Sequence, residues 1–367
     1  AYHGGINYLD KNFNVFKHYQ HTGDEKGLSY NVISYIAEGE DGRIWIATDR
    51  GGLNVLDPNS DTFKYFRQTG SASGSASNHI LQIEIGDNDK LWLGTLFGGL
   101  YSFDTKTEVF TRVNFNNTGL DDLSVNRIRG IKTDSRGNLW IASAMGLHQY
   151  DIKSGKTLNF YNNANGTNLA NSINMIAEGE DKNIWLALNE SEGIVKFDPD
   201  TDGFTTYKIP SAQCLFQDEE YIWVGTSSKG LFQIDVKTDG IKNFTSDKLT
   251  NGNVVGILPD ENNNLWLSSN DGLFQFNKAN GNFKRLQREH GLQSDHFKKN
   301  AYLKSKSGNM YFGGLHGMIM FNPDDITEDS YDPIIELTSL KTASYKKNKK
   351  VYQRNVGAIL EDGLLEL

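Results

Sequence analysis

"GNLWIASAMGLHQYD" (residues 137–151) holds a tryptophan inside an apolar run, then a glycine, then a second short run that ends on aspartate. The phrase returns as "GRIWIATDRGGLNVLD" (42–57) and as "NNLWLSSNDGLFQFN" (263–277). The six tryptophans, Trp45, Trp92, Trp140, Trp185, Trp223 and Trp266, are separated by 47, 48, 45, 38 and 43 residues, and a further 45 lead to Tyr311 in "GNMYFGG". Seven copies at a period of roughly 45 residues is the spacing of four-stranded propeller blades.

The third copy divides into four strand-like runs: "NRIRGIKTD" (126–134), "LWIAS" (139–143), "GLHQYD" (146–151) and "TLNFY" (157–161). The second run is apolar throughout, as a strand buried on both faces should be, and the fourth is polar enough for an outer edge. Gly, Asn, Asp and Ser cluster between the runs, where turns need them. The 6 prolines avoid the tryptophan runs. This pattern predicts an all-β fold, a seven-bladed β-propeller of four-stranded blades closed with N-terminal strand material. The tryptophan strand is the second of each blade, its ring fills the wedge between blades, and the following Gly turns the chain into the third strand.

The ends of the ring are uneven. "GGINYLD" (4–10) and "NVFKHY" (14–19) read as a third and a fourth strand with no tryptophan strand before them. The copy at Tyr311 has a third strand, "GMIMFNP" (317–323), but no clear fourth. Either third-strand phrase is open to joining the ring. After Asp332 the blade phrase stops, and "PIIELTSLKTASYKKNKKVYQ" (333–353) alternates like the first strands of another β domain. The expected domains are 1–328, the propeller, and 329–367, a linker and the truncated start of a β-sandwich domain. "KKNKK" (346–350) reads as a solvated hairpin turn, and "TGSASGSASN" (69–78) as a flexible loop between blades.

The 367 residues are 37% hydrophobic and 11% aromatic, enough for a sizeable core. The formal charge of −9 argues against direct nucleic-acid binding, which needs a basic face. The single Cys214 rules out an internal disulfide and does not fix a compartment. No run approaches the 18 or so apolar residues of a membrane span. No signal-peptide pattern opens the chain, whose first residues read as mid-phrase, so a segment of a longer protein is expected.

The phrase at 134–151, D-x-x-G-N-L-W-I-A-S-x-x-G-L-x-x-Y-D, resembles the two-component regulator propeller repeat, with looser versions in the other six copies. "GNMYFGGLHGMIMFNPDDI" (308–326) resembles the closing repeat of such propellers, and the tail resembles the start of the triple-tyrosine β-sandwich domain that follows them. The resemblance implies the periplasmic portion of an inner-membrane protein: the second propeller of a hybrid two-component sensor, followed by the sandwich. It implies recognition of an oligosaccharide, control of polysaccharide-utilisation genes, and a histidine kinase outside this region. The implied partners are the oligosaccharide, another propeller and the β-sandwich of the same chain, and a second copy in a homodimer.

No catalytic constellation stands out. The sequence lacks H-E-x-x-H, G-x-S-x-G and a phosphate loop. Cys214 lies in an apolar strand and reads as an inert buried thiol. His79, His296 and His316 are too scattered to predict a metal site, and acidic turns such as 38–43, 86–90 and 260–264 miss the calcium-loop spacing. The expectation is no catalytic residue, no metal and no cofactor. The alternatives are a propeller enzyme, a metal-dependent lyase or lactonase, and a protein-interaction platform.

In a propeller the loops between blades and those from second to third strand converge on the axis. The loops after the tryptophan strands vary chemically just before their Gly, through Arg50, Phe97, Met145, Glu192, Lys229, Asp271 and His316. At the start of the first strands Asn31, Asn78, Asn126 and Asn171 each stand 14 residues before a Trp, a repetition that predicts a turn-closing hydrogen bond. Sugar recognition needs an aromatic face plus groups that hydrogen-bond hydroxyls. Tyr30, Asp49, Arg50, His79, Phe97, Arg127, Asn174, Lys229, Asp271 and His316 supply that inventory and form the predicted ligand site.

Overall fold

The tryptophan run is the second strand of its blade in all six cases: Ile44–Thr48, Lys90–Thr95, Asn138–Ser143, Ile184–Leu188, Tyr221–Thr226 and Asn264–Ser269. Met310–Gly314, with Tyr311, takes the same place in the seventh blade. The structure, a computed structural model, describes residues 15–24, 26–68, 78–87, 89–113, 127–170, 172–189, 193–249 and 251–326, with the backbone of 339–343 and 351–355. The 4–10 phrase and the Gly/Ser stretch 69–77 lie outside these residues. Each blade is a four-stranded antiparallel sheet, and in the first six the strands follow in sequence order. In chain order those six blades span 33–66, 80–112, 128–161, 173–208, 212–244 and 256–286.

The seventh blade settles the question left by its uneven ends. Its first three strands are Phe297–Lys304, Met310–Gly314 and Gly317–Phe321, so the C-terminal third-strand phrase joins the ring. The fourth is Lys17–Tyr19, paired antiparallel with Lys17 opposite Met320 and Tyr19 opposite Met318. Closure removes the exposed ends that a linear array of blades would leave.

The wedges between blades are filled as the repeat predicts. Each tryptophan packs forward into the following blade, where a large residue of the third strand meets it edge-on. Trp45 meets Phe103 at 5.9 Å, Trp140 meets Phe197 at 5.5 Å, Trp223 meets Phe276 at 5.7 Å and Trp266 meets Phe321 at 5.0 Å. Trp185 and Tyr311 share their core clusters with Ile234 and Leu56, the aliphatic residues in the same slot. Complete burial of such a ring contributes on the order of 3 kcal/mol.

The indole N–H groups are satisfied in only some blades. Trp140, Trp223 and Trp266 donate to Asp134, Asp218 and Asp260 at 2.8, 2.8 and 3.0 Å. Those carboxylates also accept backbone N–H groups of their own turns, so the acidic turns are hydrogen-bonded hairpin corners. Beside Trp45, Trp92 and Trp185 the slot holds Gly39, Gly86 and Gly179, whose missing side chains make room for the indole edge. A second set of links ties outer strands to the next blade. Tyr19, Tyr161 and Tyr207 donate to Asp61, Asp202 and Asp239 at 3.0, 2.8 and 2.6 Å.

A short hairpin, Asn163–Ala164 paired with Thr167–Asn168, joins the third and fourth blades and breaks the repeat. Among the described residues the helices are two single 3-10 turns, Arg288–His290 and Pro323–Asp325, and none is long and apolar enough to cross a membrane. Residues 1–326 form one compact unit and 327–367 another. In the second, Ser339–Ala343 pairs antiparallel with Val351–Asn355. "KKNKK" falls between those strands, outside the described residues.

Candidate functional site

The inner strands ring the axis, and each begins at the face where the loops between blades meet the loops from second to third strand. Those loops are held rigidly. The residue ending the tryptophan strand folds back on the loop: Thr48, Thr95, Thr226 and Ser269 donate to the carbonyls of Gly52, Gly99, Gly230 and Gly272 at 3.1, 2.8, 2.9 and 3.0 Å. Outer-strand arginines clamp the same loops, with Arg67 Nε 3.0 Å from the Gly51 carbonyl, Arg112 Nε 3.2 Å from Gly98 and Arg285 Nε 2.9 Å from Asp271. The loop-closing Gly has a positive φ, 81° at Gly52 and 107° at Gly317. A Cβ there would collide with the outer-strand carbonyl of Phe66 or Tyr19. The Gly is therefore fixed by close approach of the fourth strand as well as by the turn.

Two of the four repeated Asn are within the described residues. Asn31 accepts from the His21 amide at 2.7 Å, and Asn78 accepts from the Gln68 amide at 2.9 Å while donating to the Gln68 carbonyl at 3.1 Å. They close the chain's passage from an outer strand to the next inner one. Asn126, Asn171 and Glu192 lie outside the described residues.

The structure brings several predicted ligand residues together over the first and second blades. Asp49 and His79 are joined by a backbone bridge, and Asp49 Oδ1 lies 2.9 Å from His79 Nδ1 without hydrogen-bond alignment. His79 touches the ring of Phe97 edge-on at 6.1 Å. Phe97 is 59% exposed and Tyr30 37%, and Leu315 of the seventh blade adds a third exposed apolar side chain at 46%. Arg50, Arg127, Lys229 and His316 are also exposed. Asp271 instead pairs with Arg285 of its own blade and serves the loop clamp.

Asn174 has a different place from an exposed ligand contact. Only 1% of it is exposed. Its amide donates to Asn189 Oδ1 at 2.6 Å and to the Ala212 carbonyl at 2.7 Å. Its Oδ1 accepts from Lys299 Nζ at 2.8 Å, and its backbone carbonyl accepts from Asn300 at 3.3 Å. These bonds join the fourth blade to the seventh across the axis. The pairing register of the inner strand slips at Asn174 and, in the third blade, at Arg129. Such a bulge re-aims the residue it frees.

Lys299 is thereby drawn into a basic cluster that the sequence reading did not single out. Burial, and then the charges of Arg129, Arg127 and Lys298, push its ammonium down to about 8. Burial also lowers Lys298, which Asp49 partly offsets, and lowers Arg129, which Arg127 pushes in the same direction. A signal was present in the sequence. The inner strand of the seventh blade reads "FKKNAYLK" where the first and fourth read "ISYIAE" and "INMIAE". Adjacent lysines in the strand that should line the axis break the apolar phrase.

Farther along the same strands a cavity of about 240 Å³ is lined by Tyr35, Gln82, Glu84, Met175, Asn300 and Tyr302, among others. Tyr302 donates to the Met175 sulfur at 3.6 Å. The one thiol is buried. Cys214 is completely enclosed, and burial raises it far above the ordinary value. Among the described residues no three His, Cys, Asp or Glu side chains assemble into a metal-binding group, and His79, His296 and His316 do not come together.

Comparison with known proteins fits this architecture. The two component regulator propeller model matches residues 27–50, 122–144 and 248–271, each a stretch centred on an inner strand, its turn and the strand after it. Histidine kinase P4 of Formosa agariphila is 24% identical over 265 residues, covering 55% of this chain and 19% of its own length. The extracellular domain of a putative hybrid two component system from B. thetaiotaomicron superimposes with a TM-score of 0.77 at 22% identity, over 92% of this chain and 46% of that one. A catalytically inactive variant of virginiamycin B lyase from Staphylococcus aureus shares the fold with a TM-score of 0.65 at 13% identity, over 83% of this chain and 97% of that one. The chain thus spans less than half the length of the kinase and of the two component extracellular domain that it matches. It is a seven-bladed propeller in which three stretches match the two component regulator propeller model.

Proposed function

We propose that this propeller is an extracytoplasmic ligand-sensing domain of a hybrid two-component system, and that its ligand is an oligosaccharide. The observation that carries the reading is the axial mouth: exposed Phe97 stands beside His79 and Asp49, on loops clamped to the first two blades, with exposed Tyr30 and Arg127 at the starts of the first and third. Aromatic faces beside fixed polar groups are what a sugar ring requires. The relatives' names, a histidine kinase and an extracellular two-component domain, support an output in the same polypeptide. In this reading the propeller performs no chemistry. Ligand binding favours one arrangement of the segments that follow, through a difference in affinity between two states. A second propeller, a β-sandwich and a homodimer complete the proposed assembly, which controls polysaccharide-utilisation genes.

The test is calorimetric titration of the chain with neutral, uronate-containing and sulfated oligosaccharides, with chelator and with calcium. Saturable binding that survives chelator, with the glycan recovered intact, is the expected result. Metal-dependent turnover would overturn it in favour of an enzyme. Silence across the panel would remove the ligand site from this propeller.

A further inference from the structure

The chain carries a formal charge of −9, yet four cationic side chains converge at one end of its axis. Arg127 and Arg129 come from the third blade, Lys298 and Lys299 from the seventh. Lys299 reaches across to the fourth blade, where the buried amide of Asn174 fixes its ammonium at 2.8 Å. Among the described residues the charges that act on Lys299 are all positive, from Arg129, Arg127 and Lys298. A half-withdrawn ammonium facing three like charges is unfavourable in the empty protein, and an anion placed among them relieves it. Asn174 is itself held by Asn189 and Ala212, so the Lys299 position is set before any ligand arrives.

We propose that the axial mouth is an anion subsite, in which Arg127 and Lys299 grip an oxyanion carried by the ligand, the charges of Arg129 and Lys298 lie beside them, and Asn174 is the residue that positions Lys299. The chemistry is that of a carboxylate or a sulfate ester on a sugar, both of which accept charge-assisted hydrogen bonds from guanidinium and ammonium groups. The exposed Phe97 and Tyr30 lie over neighbouring blades and offer the apolar face for the rest of the ring system. This inference rests on the ligand-sensing reading and narrows it to acidic ligands.

The experiment titrates the chain with three disaccharides of matched linkage: neutral, uronate-ended and sulfated. Wild type, Lys299→Gln, Arg127→Gln and a control, Lys242→Gln on an exposed outer strand, are compared at two salt concentrations. The expected result is at least tenfold tighter binding of one acidic disaccharide than of the neutral one, weakened by salt. Lys299→Gln and Arg127→Gln each lose tenfold or more, and Lys242→Gln binds as wild type. The stronger of the two acidic probes tells carboxylate from sulfate. Thermal melts of each variant show that the loss is not unfolding, and Arg127, being exposed, tolerates replacement. Equal binding of the neutral probe, unchanged in both variants, would overturn the anion subsite and leave the sensor reading intact. No binding of any probe would overturn both.

Discussion

The wedges between blades and the mouth of the axis are built from the same strands and obey opposite rules. In a wedge the same position recurs in every blade and the same event follows: a large ring from a second strand enters the next blade and is buried. At the mouth two slots change chemistry from blade to blade: five residues after the Trp stands exposed Phe97 or Arg50, and eleven before it stands buried Asn174 or Arg129. Contacts there also run across the ring, as from Lys299 to Asn174. Repetition marks what the fold needs, and departure from it marks what the fold leaves free for recognition.

This contrast breaks most sharply at Trp140, which is completely buried. Trp140→Ala is expected to destabilise the propeller by about 3–5 kcal/mol in urea titration, without changing which ligand is preferred. Lys299→Gln should do the reverse.

The next largest effect comes from His148, a fully buried residue in the third strand of the third blade, 2.8 Å from the Ser143 hydroxyl. Burial holds its imidazole down to about 4. The unfolded chain takes up that proton near pH 6.5, the folded chain only near 4, so stability falls as pH drops through this window. The full loss is about 3 kcal/mol. Replacing His148 by Gln should flatten this acid limb of the stability curve relative to wild type, measured by denaturant midpoints.

A finer test lies within the wedges. Asp134→Ala removes the acceptor of the Trp140 indole and of two backbone amides, for an expected loss of about 2 kcal/mol. The indole nitrogen of Trp185 has no such partner, so Trp185→Phe should cost less than Trp140→Phe in the same assay. Smallest is Tyr207→Phe, which deletes the half-buried link to Asp239 of the next blade and should cost about 1 kcal/mol in thermal or chemical unfolding.

The sequence carried the blades because each is a local event. Trp, turn and Gly sit within one period, and even Tyr311 was recognisable by the slot that it fills. Ring closure was less legible, since Lys17 and Met320 are neighbours only in space and both chain ends offered a third-strand phrase. The indole partners were half visible as acidic turns, but reading those turns as a group missed the spacing: Asp134 stands six residues before its Trp and accepts the indole, whereas Asp41 stands four before Trp45, past the slot of Gly39, and pairs with its own Arg43. The candidate site was read from loop tips, which placed Asp49, His79 and Phe97 together. Arg129 and Lys299 escaped because they lie within inner strands and their meeting depends on two blades far apart in the chain. Asn174 stands for the same difficulty: its chemistry suggested sugar contact, and burial made it a support.

The three-residue strand Lys17–Tyr19 works like a buckle. The chain enters the ring there and leaves it after Phe321, on hydrogen-bonded neighbours of one sheet. A pull applied upstream of residue 17 and a pull applied downstream of residue 321 therefore load the same few hydrogen bonds. Tension entering from one side is passed to the other there, and a force-spectroscopy trace should show its first rupture at that pairing.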